Sequence, residues 1–381
     1  MSYRYRISYL SEFSIVFIFA NLLLLSCRPA EGVPPPVIFL RPADSGKVQL
    51  FYASDPGDEG RPLINYGNNP GPDIIDFAVS PDGRSIAYSA FVSSGGTEIR
   101  SVTSNGSNDK ILLSCPDNEC SDISWAPGGT QLVYERRDIE NGHTTQPRLY
   151  WLHISSGETL PLITGDNSPS FAASFSPDGH WISYFSPNND GIVLYNLIDG
   201  HQRLLPSRVG RPAVWSPDST SVIISDLVVD AVVTTPYGED SPEAVQESAA
   251  VYLYRVLLSE EGSRQLLSPE ASIEDSAPAW SPDGRAIAFG RRPAATITGR
   301  QLWLMRPDGT NAEALTNDPN LFHGPPAWSP DDRYLLFQRF DFARPDAVAS
   351  VWLLDLETGS LTEVSDTGFQ PAWLVSRSVS N

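Results

Sequence analysis

Histidine, cysteine and arginine are the side chains through which this 381-residue sequence could do chemistry, and their spacing limits what each can do. The five histidines, His143, His153, His180, His201 and His323, are scattered along the chain, so a shared base or metal role would need them to converge from distant segments. No Gly-x-Ser-x-Gly elbow, His-Glu-x-x-His pair or phosphate-binding glycine loop is present, and no catalytic residue, metal or cofactor is expected. Cys115 and Cys120 enclose only Pro116, Asp117, Asn118 and Glu119. In an exported chain such a pair most simply closes a small disulfide loop, because zinc would need two further ligands and no histidine lies close in sequence. The arginines are more patterned. Arg41, Arg136, Arg137, Arg291, Arg292 and Arg339 each follow an apolar run, and Arg344 lies near the last of them. A guanidinium grips carboxylates with two parallel hydrogen bonds, so such an array is a candidate for reading acidic groups.

The elements that must position these groups follow from composition and repetition. The 46 acidic residues outnumber the 26 basic ones, giving a formal charge of −20, which makes a polyphosphate backbone a poor partner and excludes nucleic acid from the expectation. The 33 prolines and 28 glycines leave little room for long helices and point to strands and turns. Val79-Ser80-Pro81-Asp82-Gly83 recurs as Trp125-Ala126-Pro127-Gly128-Gly129, Phe175-Ser176-Pro177-Asp178-Gly179, Trp215-Ser216-Pro217-Asp218-Ser219, Trp280-Ser281-Pro282-Asp283-Gly284 and Trp328-Ser329-Pro330-Asp331-Asp332. Pro371-Ala372-Trp373 is an incomplete further copy, and the copies lie about 49 residues apart, which suits a four-stranded propeller blade. Proline, aspartate and glycine in that order make a tight turn between antiparallel strands. Naming the strands of each blade A to D, with A carrying the tryptophan, the N-terminal runs Val37–Arg41, Val48–Tyr52 and Pro62–Ile64 read as B, C and D without an A. The lone A strand at Trp373 supplies it, which predicts an all-β, seven-bladed propeller closed by three N-terminal strands and one C-terminal strand, with six blades as the fallback.

Two resemblances extend this reading. Arg4 and Arg6, then an apolar run from Ile15 to Leu25 broken only by Asn21, are too short to span a bilayer and describe a secretory signal. The ending Leu24-Leu25-Ser26-Cys27 resembles the lipobox of bacterial lipoproteins, which implies residues 1–26 as a signal peptide, lipidation of Cys27, and a lipid-anchored proline-rich spacer over 27–36. The Trp-Ser-Pro-Asp-Gly repeats over 37–375, followed by Ile-Ala-Phe-like strands, resemble the TolB-type, WD40-like propeller repeat, and 376–381 would be a tail. Related propellers cap prolyl-oligopeptidase-type hydrolases, and oligogalacturonate lyases resemble the same fold.

In such a ring the A–B turns lie on one face and the B–C and D–A connections on the other. The A–B turns are tight here, whereas the connections Glu135–Pro147, Asp226–Ala250, Gly290–Gly299, Arg339–Ser350, Gly67–Asp76, Pro269–Pro278 and Asn317–Pro326 are long. Binding residues concentrate on loops held by a rigid scaffold, so the elaborate face is the expected site, with Arg41, Arg136, Arg291, Arg292, Arg339, Arg344, Phe322, His323 and Phe369 as candidates. The alternative for the arginines is pairing with Asp230, Glu239, Asp240, Glu243, Glu247, Glu270, Glu274 and Asp275. The strand tryptophans are expected to fill the space between blades. The functional expectation is a surface-tethered, non-catalytic scaffold for an envelope protein, in contact with the membrane through its lipid only. The alternative is a carbohydrate-active propeller binding or cleaving an acidic uronate polysaccharide.

Overall fold

The second strand of each blade is the most buried, as in Ile287-Ala288-Phe289, all of whose side chains are fully buried, because neighbouring sheets cover it on both faces. In the computed structural model the described residues are 32–374, apart from positions 56, 59, 68, 94, 235–243, 269–272, 295 and 345, and the side chains of 230–248 are likewise outside the description. The expectations for residues 1–26, Cys27 and 376–381, and for Asp230, Glu239, Asp240, Glu243, Glu247 and Glu270, fall outside it.

The strands form seven antiparallel sheets within the unit that runs from Pro34 to Asn381. Blade 1 spans 73–115, blade 2 118–161, blade 3 171–206, blade 4 214–266, blade 5 273–314 and blade 6 321–365. Blade 7 joins Val37–Pro42, Val48–Ala53 and Arg61–Pro62 to Phe369–Trp373. The A strands touch one another in succession around the ring, the last meeting Asp73–Val79 of blade 1, so they line the channel. Closure pairs Val37 with Trp373 and Ile38 with Ala372, and the amide of Leu374 donates to the carbonyl of Pro36 at 2.8 Å.

The repeated turn is held by its own side chains. Ser80, Ser176, Ser216, Ser281 and Ser329 each donate to the aspartate two residues on, at 2.5–2.7 Å. Each serine hydroxyl also accepts from the amide that opens strand B, as Ser80 does from Ser85 at 2.9 Å. The left-handed position falls on Gly83, Gly129, Gly179 and Gly284, and also on Ser219 and Asp332. Tryptophans then stitch neighbouring blades together. The indole nitrogens of Trp125, Trp215, Trp328 and Trp373 donate to Ala78, Ser174, Ala279 and Ala327 of the preceding A strand at 3.0–3.1 Å.

The A strands start earlier than the sequence suggests. Phe322 and His323, expected in the connection Asn317–Pro326, belong to the strand Leu321–His323, and Phe171 and Phe369 open the strands Phe171–Phe175 and Phe369–Trp373. In blades 3, 5 and 7 a β-bulge breaks the two-residue alternation, with Ala172, Ala277 and Gln370 in the left-handed region at φ 56°, 51° and 49°, whereas in blade 6 residues 324–326 separate Leu321–His323 from Ala327–Trp328. Blade 4 departs from the others in its second and third strands, Ser221–Thr234 and Ala244–Leu257, each 14 residues long, where the second strands elsewhere have 6 to 10. At about 3.3 Å per residue, this hairpin projects roughly 20 Å beyond the blade on the side of the B–C and D–A connections.

Candidate functional site

Arg41, Arg136, Arg291 and Arg339 occupy one register position in four blades, each the fourth residue after the strand-B residue that pairs with Trp373, Trp125, Trp280 or Trp328. Each guanidinium folds back over the ring two residues beyond its partner on strand C, the diagonal neighbour on the same sheet face. The centroid distances are 4.9 Å for Arg41 over Phe51, 5.2 Å for Arg136 over Tyr150, 4.7 Å for Arg291 over Trp303 and 3.2 Å for Arg339 over Trp352. The geometry repeats blade by blade, so these four groups are held in separate sheets.

Most of the candidate arginines also meet carboxylates. Arg136 reaches Asp138 at 2.8 Å, Arg292 reaches Glu274 at 3.0 Å, and Arg137 lies 3.0 Å from Glu135 and 3.5 Å from Glu119. Arg291 grips buried Asp275 with two bonds of 2.7 and 2.8 Å. Arg344 faces Asp346 at 3.8 Å with both side chains exposed. Strand pairing puts His323 opposite Arg339 and Phe322 opposite Phe340. His323 is buried, its Nδ1 lies 2.9 Å from the carbonyl of Arg300, and desolvation pushes its pKa down to about 4, so the ring is neutral at physiological pH. Phe369 is half-buried against the cluster that holds Ile38, Leu40 and Ile74. The disulfide between Cys115 and Cys120 ties the last strand of blade 1 to the first of blade 2.

A second set of side chains, not singled out by sequence reasoning, ties the bulged A strands to the preceding blade. The amide of Asp122 donates to the carboxylate of Asp76, which also accepts from the Ser89 hydroxyl at 2.7 Å. Ala172 donates to Glu135 at 2.9 Å, and Gln370 to Gln338 at 3.4 Å. Ser89, Glu135 and Gln338 share one register position on strand B, and in blade 5 that position is Gly290. Among the described residues no group of three or more His, Cys, Asp or Glu side chains is placed to hold a metal ion.

Burial raises the carboxyls of Asp76 and Glu135 to about 6 and about 7, the neighbouring Asp122 charge adding to the shift at Glu135. Both groups therefore bind protons more tightly folded than unfolded, and their charging opposes folding. The stability they contribute is fully present below the unfolded carboxylate pKa, near 4, and is lost as pH rises to about 7. Asp82 has the opposite sign: hydrogen bonds from Ser80 and the Arg84 amide hold its carboxyl low, so its contribution disappears only in stronger acid. Scanning calorimetry should show the melting temperature falling between pH 5 and pH 8, with a shallower slope in Glu135→Gln. An unchanged slope in that variant would remove Glu135 from the account.

The comparisons with known proteins agree on architecture. The solved structure of TolB from Acinetobacter baumannii matches with a TM-score of 0.51 at 16% identity, over 90% of this chain and 68% of that one. A Mycobacterium tuberculosis puromycin-hydrolyzing peptidase matches with a TM-score of 0.59 at 15% identity, over 88% of this chain and 54% of that one. In sequence the chain is 26% identical over 193 residues to a Bacillus subtilis (strain 168) protein described as the uncharacterized peptidase YuxL. That match takes in 44% of this chain and 29% of the relative, so the chain spans under a third of that protein's length. No family model matches the sequence. At these identities the likeness to solved structures shows the fold, a propeller shared by TolB and by peptidases.

Proposed function

We propose that this chain is a binding propeller of the bacterial cell envelope, tethered by lipid on Cys27, which holds a protein partner on the face bearing the B–C and D–A connections. The observation that carries this reading is the asymmetry of the two faces. On one side the turns are short and closed by their own serine–aspartate hydrogen bonds. On the other the 14-residue strands of blade 4 project past the sheet, which carries backbone toward a partner where the remaining blades end.

Cross-linking mass spectrometry on intact cells tests the assignment. Recurrent links to one protein are expected from residues of the connections and from the base of the long hairpin, and they should disappear when residues 231–247 are replaced by a two-residue Asn-Gly turn. Links distributed equally over both faces would overturn the site. An absence of any recurrent protein link, with both faces covered, would overturn the scaffold reading in favour of an acidic polysaccharide.

A further inference from the structure

Arg300 immediately precedes strand C of blade 5, and its side chain takes an unusual path. A Cβ placed on Gly290 would collide with Cδ of Arg300 and lie 2.7 Å from its Cγ, so the arginine stem crosses strand B at the position where other blades carry Ser89, Glu135 or Gln338. Its guanidinium comes to rest 5.0 Å from the ring centroid of Phe322, on the first strand of blade 6. Gly290 is therefore required by a close approach, which is the usual meaning of a glycine inside a strand.

The charges around it do not balance. Arg292 lies one residue past the ladder pair Arg291 and Gln301, on the same edge as Arg300. Arg211, exposed in the connection before blade 4, is close enough for its charge to act on Arg300 together with that of Arg292. The opposing charge acting on Arg300 is that of Glu274, already held by Arg292, while Asp275 is taken up by Arg291. The Nε atoms of both Arg292 and Arg300 are buried and have no hydrogen-bond partner. In a chain of formal charge −20, the charges of Arg211 and Arg292 both act on Arg300, and the one carboxylate that opposes them there is Glu274. A desolvated guanidinium that faces two like charges is costly, and a bound oxyanion relieves that cost by accepting from the Arg300 fork and neutralising it.

We propose that Arg211, Arg292 and Arg300 form an oxyanion site between blades 4, 5 and 6 that takes a carboxylate or phosphate group, with Phe322 as its apolar wall. The site stands apart from the partner-binding reading, since the group could arrive on a macromolecule or on a small ligand.

The test is calorimetric titration of the full chain with sodium citrate and with sodium phosphate, against sodium chloride at matched ionic strength. Citrate, phosphate or both should bind where chloride does not; citrate alone assigns a carboxylate site and phosphate alone a phosphoryl site. Arg300→Met and Arg211→Ala should each weaken binding at least tenfold, while Arg344→Ala, at an exposed pair, should leave it unchanged. Arg211 is exposed, so its variant reports on the site even if Arg300→Met folds poorly. A purely structural arginine at position 300 would lower the melting temperature when removed. Here anion-free Arg300→Met should melt at or above the parent, because the like charges and the buried donor are gone. Absence of anion-specific binding, or binding insensitive to both Arg211→Ala and Arg300→Met, overturns the proposal and leaves the cross-linking result untouched.

Discussion

Asp275→Ala should lower the unfolding free energy by about 3–5 kcal/mol, the range for removing one partner of a buried ion pair. Asp275 is fully buried, and the Arg291 side chain above it is only 9% exposed. The guanidinium is held by two hydrogen bonds to that carboxylate and sandwiched near Phe289 and Trp303, at 5.1 and 4.7 Å. Without Asp275 an uncompensated charge remains where water cannot solvate it. The double change Asp275→Leu with Arg291→Met should recover most of the loss, since it removes both charges at similar volume. Urea denaturation followed by tryptophan fluorescence measures both, and a loss below about 1 kcal/mol in the single variant would sink the assignment. It follows that Arg291→Ala is a poor probe of ligand binding. Its effect on any partner would be confounded by damage to blade 5, whereas Arg211 and Arg344 can be altered on the surface.

The repeat made the ring legible because its tokens are local. Proline, aspartate and glycine act within a single turn, and the apolar strand that follows is buried in every blade whatever its register. Closure was legible for the same reason, as a strand type missing at one end and spare at the other. The arginines were visible as a pattern, but their surroundings depend on register, and a bulge alters register by one residue. Counting back from Trp280 opposite Ile287 without a bulge would set Ser276 against Arg291 and Asp275 against Arg292. With the extra residue at the bulge, Asp275 pairs with Arg291 and Glu274 with Arg292. That left-handed kink falls on an alanine, which carries no sequence signal for it. Arg300 was hidden differently. It stands at the end of a long connection, and only the gap left by Gly290 gives its side chain a route inward. The signal was a glycine inside a strand-B run at a position that is polar in several sister blades.

Trp373→Ala should cost about 3–5 kcal/mol, the range for emptying a buried aromatic site, and Trp373→Phe about 1 kcal/mol through loss of the indole hydrogen bond. Trp373 packs with Val37, Phe39, Phe51, Tyr334, Leu336 and Leu353, and its nitrogen donates to the carbonyl of Ala327 at 3.0 Å. It thus belongs to the seam of blades 6 and 7 and, through its pairing with Val37, to the closure of the ring. Elsewhere in the ring the A and B strands of a blade are joined by a short covalent turn, so a weakened contact still leaves them at high local concentration. At the closure the paired segments come from opposite ends of the propeller, and the loop between them is the whole ring, which makes re-pairing entropically slower and the edge more often open. An open edge exposes Val37–Pro42, a strand whose first four side chains are buried in the closed ring, as a template for another chain. Ending the chain after Thr367 should therefore give soluble oligomers or aggregates on size-exclusion chromatography with light scattering, whereas Trp373→Phe should remain monodisperse like the parent. A truncated chain with the parent's elution and melting temperature would mean that the three N-terminal strands close the ring unaided.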